Sequence, residues 1–303
     1  MQEGRIGITS ISLDPHDSLG ITYSEHAELA DARSGKTFEH ISWPNLESGI
    51  TKAIARDGPG AWVAISAPAV PRDLQPGAGP LVGLGSLRRI FPLRAPDAGP
   101  PRFIGANNTR ELVLIDHTGH VRLHPERMAE LHAVGALVAS LSFPPRKAHV
   151  FDLAVAPLEL ATCPAPDANA IALLVLPTSP SPLILLADSS GISAYDLDCR
   201  LVADFASKGE PLVLAAVPYD LPTRAIVAAG TREGRVEIWD WSGKLLATLG
   251  AHTFPVRALD FTPDTRTLAS GAWDGRLRFY DMATLLAPSD SLIANIRAAW
   301  GPR

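Results

Sequence analysis

One short motif has the residue types of a phosphate-binding loop. Residues 30–37, ADARSGKT, fit the relaxed nucleotide-loop pattern, in which backbone N–H groups cradle phosphates and Lys36 would reach the β- and γ-oxygens. That chemistry needs a strand before the loop and a long helix after it, but the following TFEHISWPN has a strand pattern. Ser-Gly-Lys recurs at 242–244, where it is typical of a hairpin turn. We therefore predict a turn at 30–37 and not a nucleotide site.

Three histidines in HTGHVRLH have side chains that could ligate zinc. His120 and His124 share one face of a predicted strand, whereas His117 precedes the turn. Their wide spacing along one strand does not converge on a point, so we predict packed strand histidines. No metal and no other cofactor is expected.

Catalytic signatures are absent from the sequence. It contains no HExxH, no GxSxG and no paired carboxylates at helical spacing. Cys163 and Cys199 have no histidine close in sequence, so we predict weakly buried free thiols and no nucleophile. The chain is expected not to be an enzyme and to have no small-molecule substrate.

Composition and charge limit the class of protein. The 303 residues are 46% apolar and 19% charged, which favours a folded chain with a sizeable core. The net charge of -5 provides no basic surplus for phosphates, so no nucleic-acid partner is expected. The longest apolar run, 170–176, is too short for a membrane helix, and the first residues lack a signal-peptide core. We expect a cytoplasmic protein with reduced thiols and no membrane contact.

Alternation of apolar and polar residues predicts the elements that would position any site. Val256, Ala258, Asp260 and Thr262 alternate with Arg257, Leu259 and Phe261, a period of two that indicates a strand. Asp274-Gly275 between two such runs is a strong hairpin signal and favours a type I′ turn. The C-terminal third is therefore predicted to consist of short antiparallel strands.

The strand-and-turn unit recurs at a nearly constant spacing. Ser34 and Ser242, each in a Ser-Gly-Lys turn, lie 208 residues apart, about five steps of 41–42 residues. Hairpin glycines at 119, 191, 234 and 275 are separated by 72, 43 and 41 residues. Units of this length with four short strands predict an all-β propeller with four-stranded antiparallel blades, and six steps predict seven blades.

These segments resemble the WD-repeat family. The residues that carry the resemblance are IWD at 238–240, Gly-Ala-His at 250–252, FTPD at 261–264 and LASGAWDG at 268–275. It extends more weakly to 5–40 and 168–207, whereas the blades of 45–165 are placed by spacing. The resemblance implies one seven-bladed domain over 1–303. The predicted blades are 5–43, 49–93, 98–131, 134–165, 168–208, 210–250 and 252–298.

The resemblance also implies a structural tetrad in the last blade. His252, Ser270 and Asp274 match the family's His, Ser and Asp, and Tyr280 replaces its Trp. The sixth blade keeps only Trp239. Apolar packing between blades must therefore hold most of the ring.

Two segments leave alternatives open. The tail, SDSLIANIRAAW, can supply the outer strand of the last blade or form a short helix, and we favour the strand. The Pro- and Gly-rich segments 67–101 and 157–182 are expected to be extended loops that project from blades.

The resemblance places partner binding on the loops of the top opening. The residues expected there are Trp273, Phe254, Arg232, Glu233 and His117. Trp and Arg are the residue types that dominate binding energies. We predict a non-catalytic scaffold for a protein or peptide partner within a larger assembly. The alternatives are a propeller hydrolase or lactonase with a metal in the central channel, and a reader of modified peptide tails.

Overall fold

The all-β prediction is confirmed at the level of strands and sheets. The computed structural model describes residues 8–13, 18–23, 26–31, 37–42, 51–56, 62–66, 72–73, 87–93, 102–107, 111–116 and 119–286, the last without 155–156, 178, 180, 219–224 and 263. These residues contain 25 strands and one short helix. The strands form antiparallel sheets, most of them built in groups of four as in WD-repeat blades.

The first two sheets come from the N-terminal third. Sheet 1 contains β1 (Ile8–Leu13), β2 (Ser18–Tyr23), β3 (His26–Asp31) and β4 (Thr37–Ser42) in chain order. Sheet 2 contains β5 (Thr51–Arg56), β6 (Trp62–Ser66) and β7 (Arg72–Asp73). Because β3 pairs antiparallel with β4, the Ser-Gly-Lys segment between them joins two strands, and a strand follows it where a phosphate loop needs a helix.

Sheet 3 is a double unit of seven strands. Its strands are β8 (Leu87–Leu93), β9 (Arg102–Asn107), β10 (Glu111–Asp116), β11 (Gly119–Val134), β12 (Leu137–Ser142), β13 (Lys147–Asp152) and β14 (Leu158–Pro164). The 16-residue β11 pairs with β10 through its first part and with β12 through its second part. It therefore serves as the last strand of one four-stranded group and the first strand of the next.

The remaining sheets follow the chain in order. Sheet 4 contains β15 (Ala170–Leu174), β16 (Leu183–Ala187), β17 (Gly191–Tyr195) and β18 (Leu201–Ala206). Sheet 5 contains β19 (Pro211–Pro218), β20 (Ala225–Thr231), β21 (Arg235–Asp240) and β22 (Leu245–Gly250). Sheet 6 contains β23 (Val256–Phe261), β24 (Thr267–Ala272) and β25 (Leu277–Asp281), and α1 (Met282–Leu286) follows it. The predicted tail strand or helix lies outside the described residues.

The core lies between the sheets. Trp239 of β21 and Phe205 of β18 are fully buried and meet edge to face, with ring centroids 6.4 Å apart. Burying such a side chain stabilises a fold by about 1.5–3 kcal/mol. β15, the first strand of sheet 4, and β20, within sheet 5, are buried at every position because they pack against neighbouring sheets. The sequence AIVAAGT of β20 provides small side chains that let the flanking sheets approach closely.

One predicted blade boundary is wrong, and a second falls inside a strand that both halves of sheet 3 share. Residues 87–93, predicted as the end of the blade 49–93, pair with β9 and so begin the next sheet. The predicted boundary between 98–131 and 134–165 falls inside β11. No glycine occurs between Gly119 and Gly135, so the chain makes its first turn at Gly135, which has a φ of 61°.

The segment 157–182 was predicted to project as a loop, and this is also wrong. It contains β14 and β15. β14 is an edge strand that ends at Pro164, a position that tolerates the missing N–H donor of proline. Within the segment 67–101, the described residues are the short strand β7 and the strand β8.

The two cysteines are not free thiols. Cys163 of β14 and Cys199, in the turn before β18, form a disulfide whose Cα atoms are 5.5 Å apart. This pairing could not be predicted from the sequence, because 36 residues separate the two positions. The bridge links sheet 3 to sheet 4.

Candidate functional site

The structure brings the four residues of the predicted tetrad together in sheet 6. His252 Nδ1 lies 3.1 Å from each carboxylate oxygen of Asp274, and His252 Nε2 lies 2.8 Å from Ser270 Oγ. The Ser270 hydroxyl is 3.2 Å from the Tyr280 hydroxyl. Because a carboxylate only accepts, Nδ1 donates to Asp274 and Nε2 accepts from Ser270, which corresponds to a neutral imidazole.

Burial and hydrogen bonds set the charges of the tetrad. Burial lowers the pKa of His252 below its usual 6.5, although the neighbouring Asp274 acts in the opposite direction. Burial also acts to raise the pKa of Asp274, but the backbone N–H groups of Arg276 and Thr253 together with His252 outweigh it and hold that pKa below its usual value. The pair is therefore a neutral imidazole beside an ionised carboxylate at neutral pH.

The tetrad is a structural network and not a nucleophilic site. Its Asp–His–Ser connectivity has the donor and acceptor order of an acyl-transfer triad. However, Ser270 is fully buried and its hydroxyl contacts Tyr280. A substrate carbonyl would have to come within about 3.5 Å of that hydroxyl. The network instead fixes the segment before β23 and the turn after β24 to their own sheet.

That turn presents Trp273 to solvent. Asp274 points inward to His252, whereas Trp273 has 46% of its surface exposed. The Arg257 guanidinium lies 4.6 Å from the centroid of the Trp273 ring, a cation–π contact. Gly275 has a φ of 72°, but Asp274 has no positive φ, so the turn is not the predicted type I′ turn.

Arg257 reaches Trp273 because β23 contains a β-bulge. The register between β23 and β24 shifts between Val256 and Ala258, which places Arg257 at the irregular position. Bulges re-aim a side chain out of the regular alternation of a strand. Sequence alternation identified the strand but could not identify this contact.

A second turn lies beside the first. Arg232, in the turn between β20 and β21, forms a bidentate ion pair with Glu210, with distances of 2.5 and 2.6 Å. Glu233 accepts a hydrogen bond from the backbone N–H of Glu210 at 3.1 Å. The His252 N–H donates to the carbonyl of Gly234 at 2.8 Å, so the turn of sheet 5 contacts the segment that carries the tetrad histidine.

The predicted partner-binding residues thus differ in where the structure places them. Trp273, Arg232 and Glu233 lie on exposed positions of two adjacent turns, and Phe254 is half-buried beside them. His117 lies outside the described residues. Arg257 and Glu210 join this group, although the sequence offered no signal for them beyond their charge. We call Trp273, Arg257, Arg232, Glu210 and Glu233 the loop cluster.

The sequence also missed a polar cluster in sheet 3. The imidazole of His149 is almost fully buried, with Nδ1 2.8 Å from Glu159 and Nε2 3.3 Å from Glu126. Thr162 donates to Glu159 at 2.5 Å, and Lys147 contacts Glu126 at 3.3 Å. Both imidazole nitrogens face carboxylate oxygens, which accept hydrogen bonds. The cluster ties β11, β13 and β14 together.

Two features are absent from the described residues. No helix among them is long and apolar enough to cross a membrane. Over the same residues, no group of three or more His, Cys, Asp or Glu side chains has an arrangement that could hold a metal ion. The side chains of His120 and His124 are outside the described set, so the predicted role as packed strand histidines stays a prediction.

Comparison with known proteins supports the class indicated by these sheets and the tetrad. Residues 243–281 match the family model described as WD domain, G-beta repeat. The predicted resemblance to WD-repeat proteins is confirmed for this part of the chain. Several relatives are named as WD-repeat proteins. One is human WD repeat-containing protein 97, which is 26% identical over 121 residues, covering 39% of this chain and 7% of that protein.

Three further relatives have names that do not mention WD repeats. The chain is 31% identical over 135 residues to pre-rRNA-processing protein IPI3 of Mycosarcoma maydis, covering 41% of this chain and 22% of that protein. It is 42% identical over 64 residues to the periodic tryptophan protein 2 homolog of Schizosaccharomyces pombe, covering 20% and 7%. It is 33% identical over 90 residues to nuclear distribution protein PAC1 of Coccidioides posadasii, covering 29% and 19%. The chain spans less than a quarter of the length of each.

Proposed function

We propose that the sheets form a closed, seven-bladed ring. Sheet 3 counts as two blades because β11 belongs to both of its halves. Contacts between the first strands of successive blades support the ring. These strands, in order, are β1, β5, β8, β11, β15, β19 and β23, and β23 contacts β1 again.

Packing between the first and last sheets supports closure independently. Ile8 and Ile21 of sheet 1 are buried with Ala258 and Ala269 of sheet 6. A ring of this kind buries a continuous core and leaves two open faces for variable loops.

We propose that the ring is a non-catalytic platform for a protein partner in a larger assembly. The observation that carries this proposal is Trp273, which is half exposed while the turn beneath it is fixed by the buried tetrad. An aromatic side chain held rigidly on a surface loses little conformational entropy on binding. Arg257 and the Arg232–Glu210 pair provide charged groups around it.

The relatives favour a protein partner without identifying it. The names of these relatives concern pre-rRNA processing in one case and nuclear distribution in another. What they share with this chain is the repeat and not a common substrate. The absence of a nucleic-acid partner and a cytoplasmic location stay predictions from the sequence.

The test compares two exposed apolar residues. Partners are first recovered by affinity purification and mass spectrometry with the wild-type chain, and their affinities are then measured with Trp273→Ala and Leu201→Ala. Leu201 is the control because it is 55% exposed but lies on the edge strand β18, away from the loop cluster. We expect Trp273→Ala to weaken binding at least tenfold, about 1.4 kcal/mol, with an unchanged circular dichroism spectrum.

Three results would overturn the proposal. If Trp273→Ala binds every recovered partner as tightly as the wild type does, the loop cluster is not part of the interface. Loss of folded structure in that variant would assign Trp273 to the core of its blade. Equal weakening by Leu201→Ala would place the interface elsewhere on the ring.

A further inference from the structure

The turns before the last strands of sheets 4 and 5 are built in the same way. In the turn before β18, Asp196 accepts hydrogen bonds from the N–H groups of residues 198 and 200 at 2.9 and 2.8 Å. In the turn before β22, Asp240 accepts from residues 242 and 244 at 2.9 and 3.1 Å. The N–H of the fourth turn residue also donates to the Asp carbonyl in each turn. Cys199 and Gly243 therefore occupy equivalent positions.

Both residues have the left-handed backbone conformation. The φ of Gly243 is 83° and that of Cys199 is 62°. Residues with a Cβ rarely adopt this conformation, and Asn, Asp and Gly are the usual exceptions. Cysteine at this position therefore needs a local reason.

The reason lies on the outer strand of the preceding sheet. A Cβ at Gly243 would lie 2.8 Å from the carbonyl oxygen of Asp204 in β18, so glycine fits there because it has no side chain. The equivalent neighbour of Cys199 is β14. There its Sγ is bonded to Cys163 and lies 3.6 Å from the carbonyl oxygen of Thr162. The turn with Gly243 packs against β18 of the preceding sheet, whereas the turn with Cys199 is covalently joined to β14 of the preceding sheet.

We infer that Cys163–Cys199 is a thiol-exchangeable staple between sheets 3 and 4, and that its reactive partner is a small thiol of the glutathione class. The two sulfurs differ in access. Cys163 is 2% exposed, within the apolar cluster between the two sheets, whereas Cys199 is only half-buried in its turn. An incoming thiolate therefore attacks Cys199 Sγ.

The exchange has a defined course. The attacking thiolate sulfur forms a bond to Cys199 Sγ while the bond between the two cysteine sulfurs breaks. The bonding pair passes to Cys163 Sγ, which leaves as a thiolate and then takes a proton. A second thiolate removes the first thiol from Cys199 as an external disulfide. Two external thiols are oxidised and the protein disulfide is reduced.

The staple does not fit the reduced thiols expected of a cytoplasmic protein. The expectation of a cytoplasmic protein included reduced thiols, whereas disulfides persist mainly in oxidising compartments. The staple also joins two sheets that lack the predicted tetrad. It therefore stabilises this part of the ring only where the thiol pool is oxidising.

The first experiment tests the bond itself. The full chain is equilibrated with oxidised glutathione, freed of it, denatured and treated with iodoacetamide before intact-mass measurement. We expect no alkyl group and no glutathione adduct, and two alkyl groups when a phosphine reductant precedes the alkylation. Two alkylated thiols or glutathione adducts without the reductant would overturn the inference.

The second experiment tests the order of attack. The oxidised protein is exposed briefly to limiting reduced glutathione, quenched with acid and mapped by peptide mass spectrometry. We expect the glutathione adduct on Cys199, at least tenfold over Cys163. A majority of adduct on Cys163 would contradict the assigned course.

The third experiment tests the mechanical role. Reduction is expected to lower the melting temperature of the wild-type chain by about 4–10 °C, and to leave that of Cys163→Ser unchanged.

Cys199→Gly is the matched variant because it restores the residue found in the equivalent turn. It should melt above Cys199→Ser, since both lack the bridge but only glycine tolerates the backbone conformation without strain. Equal melting temperatures for oxidised and reduced wild type would exclude a staple.

Discussion

Asp274 holds the last sheet and its neighbouring segment through three donors. Its carboxylate accepts from His252 Nδ1 at 3.1 Å, from the Arg276 N–H at 3.0 Å and from the Thr253 N–H at 3.2 Å. Asp274→Ala leaves the buried imidazole without its acceptor. We expect the free energy of unfolding to fall by about 1–3 kcal/mol, measured by urea denaturation.

Asp240→Ala is the control for that substitution. Asp240 makes the same kind of turn, with acceptor bonds to Ser242 and Lys244, but it has no histidine partner. It should lose less stability than Asp274→Ala. Equal losses in the two variants would mean that the histidine pair adds nothing beyond an ordinary turn.

His132 makes the stability of the protein depend on pH. Its Nδ1 accepts a hydrogen bond from the Leu173 N–H of the next sheet at 3.2 Å. Burial lowers the pKa of His132 to about 4 from its usual 6.5. Because the folded pKa is the lower one, the stabilising contribution is complete above the unfolded value and is lost as the pH falls through this range.

The expected loss from this residue between pH 7 and about pH 4.5 is on the order of 2 kcal/mol of unfolding free energy. His132→Asn keeps an acceptor for Leu173 but cannot be protonated in this range. Urea denaturation of both proteins at a series of pH values should therefore give a shallower acid slope for the variant. Parallel slopes would assign the acid sensitivity to other groups.

At the scale of elements, the His149 cluster connects three strands of sheet 3. His149→Leu removes the ring nitrogens that lie 2.8 Å from Glu159 and 3.3 Å from Glu126. We expect a loss of about 1–3 kcal/mol in the free energy of unfolding, because both carboxylates lose a hydrogen-bond partner and hydrogen bonds to charged acceptors are the stronger ones.

A background with neutral side chains tests that cause. In a Glu126→Gln, Glu159→Gln protein, the same His149→Leu change should cost clearly less, as a double-mutant cycle would report. The same cost in both backgrounds would contradict the charge argument and leave packing against Phe151 as the reason.

Alternation predicted the strands of sheet 6 but not their faces. It placed Val256 on the face of Ala258 and opposite Leu259. In the structure, Val256 packs with Leu259 and Phe261 in one cluster, and Ala258 packs on the other side against sheet 1. The bulge between Val256 and Ala258 inserts an extra residue, and a one-residue shift moves every side chain to the opposite face.

The same limit applies to contacts between sheets. The tetrad could be predicted because its residues lie within one repeat and match a known pattern. Cys163 and Cys199 lie in different sheets and meet only because sheets 3 and 4 pack against each other. Glu126 and His149 lie in two strands of sheet 3 and meet only because of the strand pairing there. Sequence spacing contains no information on that packing, and it also misplaced β8, since a long Pro- and Gly-rich segment interrupts the repeat there.

At the scale of the whole molecule, the proposed ring depends on contact between its first and last sheets. In an open row of blades, each terminal sheet would expose an apolar face. Here Ile8 of β1 is fully buried against sheet 6. A Cβ at Gly271 of β24 would lie 2.6 Å from Cγ2 of Ile8 and 3.3 Å from Cδ1 of Ile11. Glycine at 271 therefore makes room for the first strand.

Gly271→Ala tests closure directly. We expect it to lower the free energy of unfolding by about 1–3 kcal/mol, because the added methyl group forces the two sheets apart. Gly250→Ala is the matched control, since a Cβ there meets nothing within 4 Å. In an Ile8→Ala background the methyl group has space, so most of the Gly271→Ala penalty should disappear. An undiminished penalty in that background would show that Gly271 does not face the first strand, and the ring would lose its closing contact.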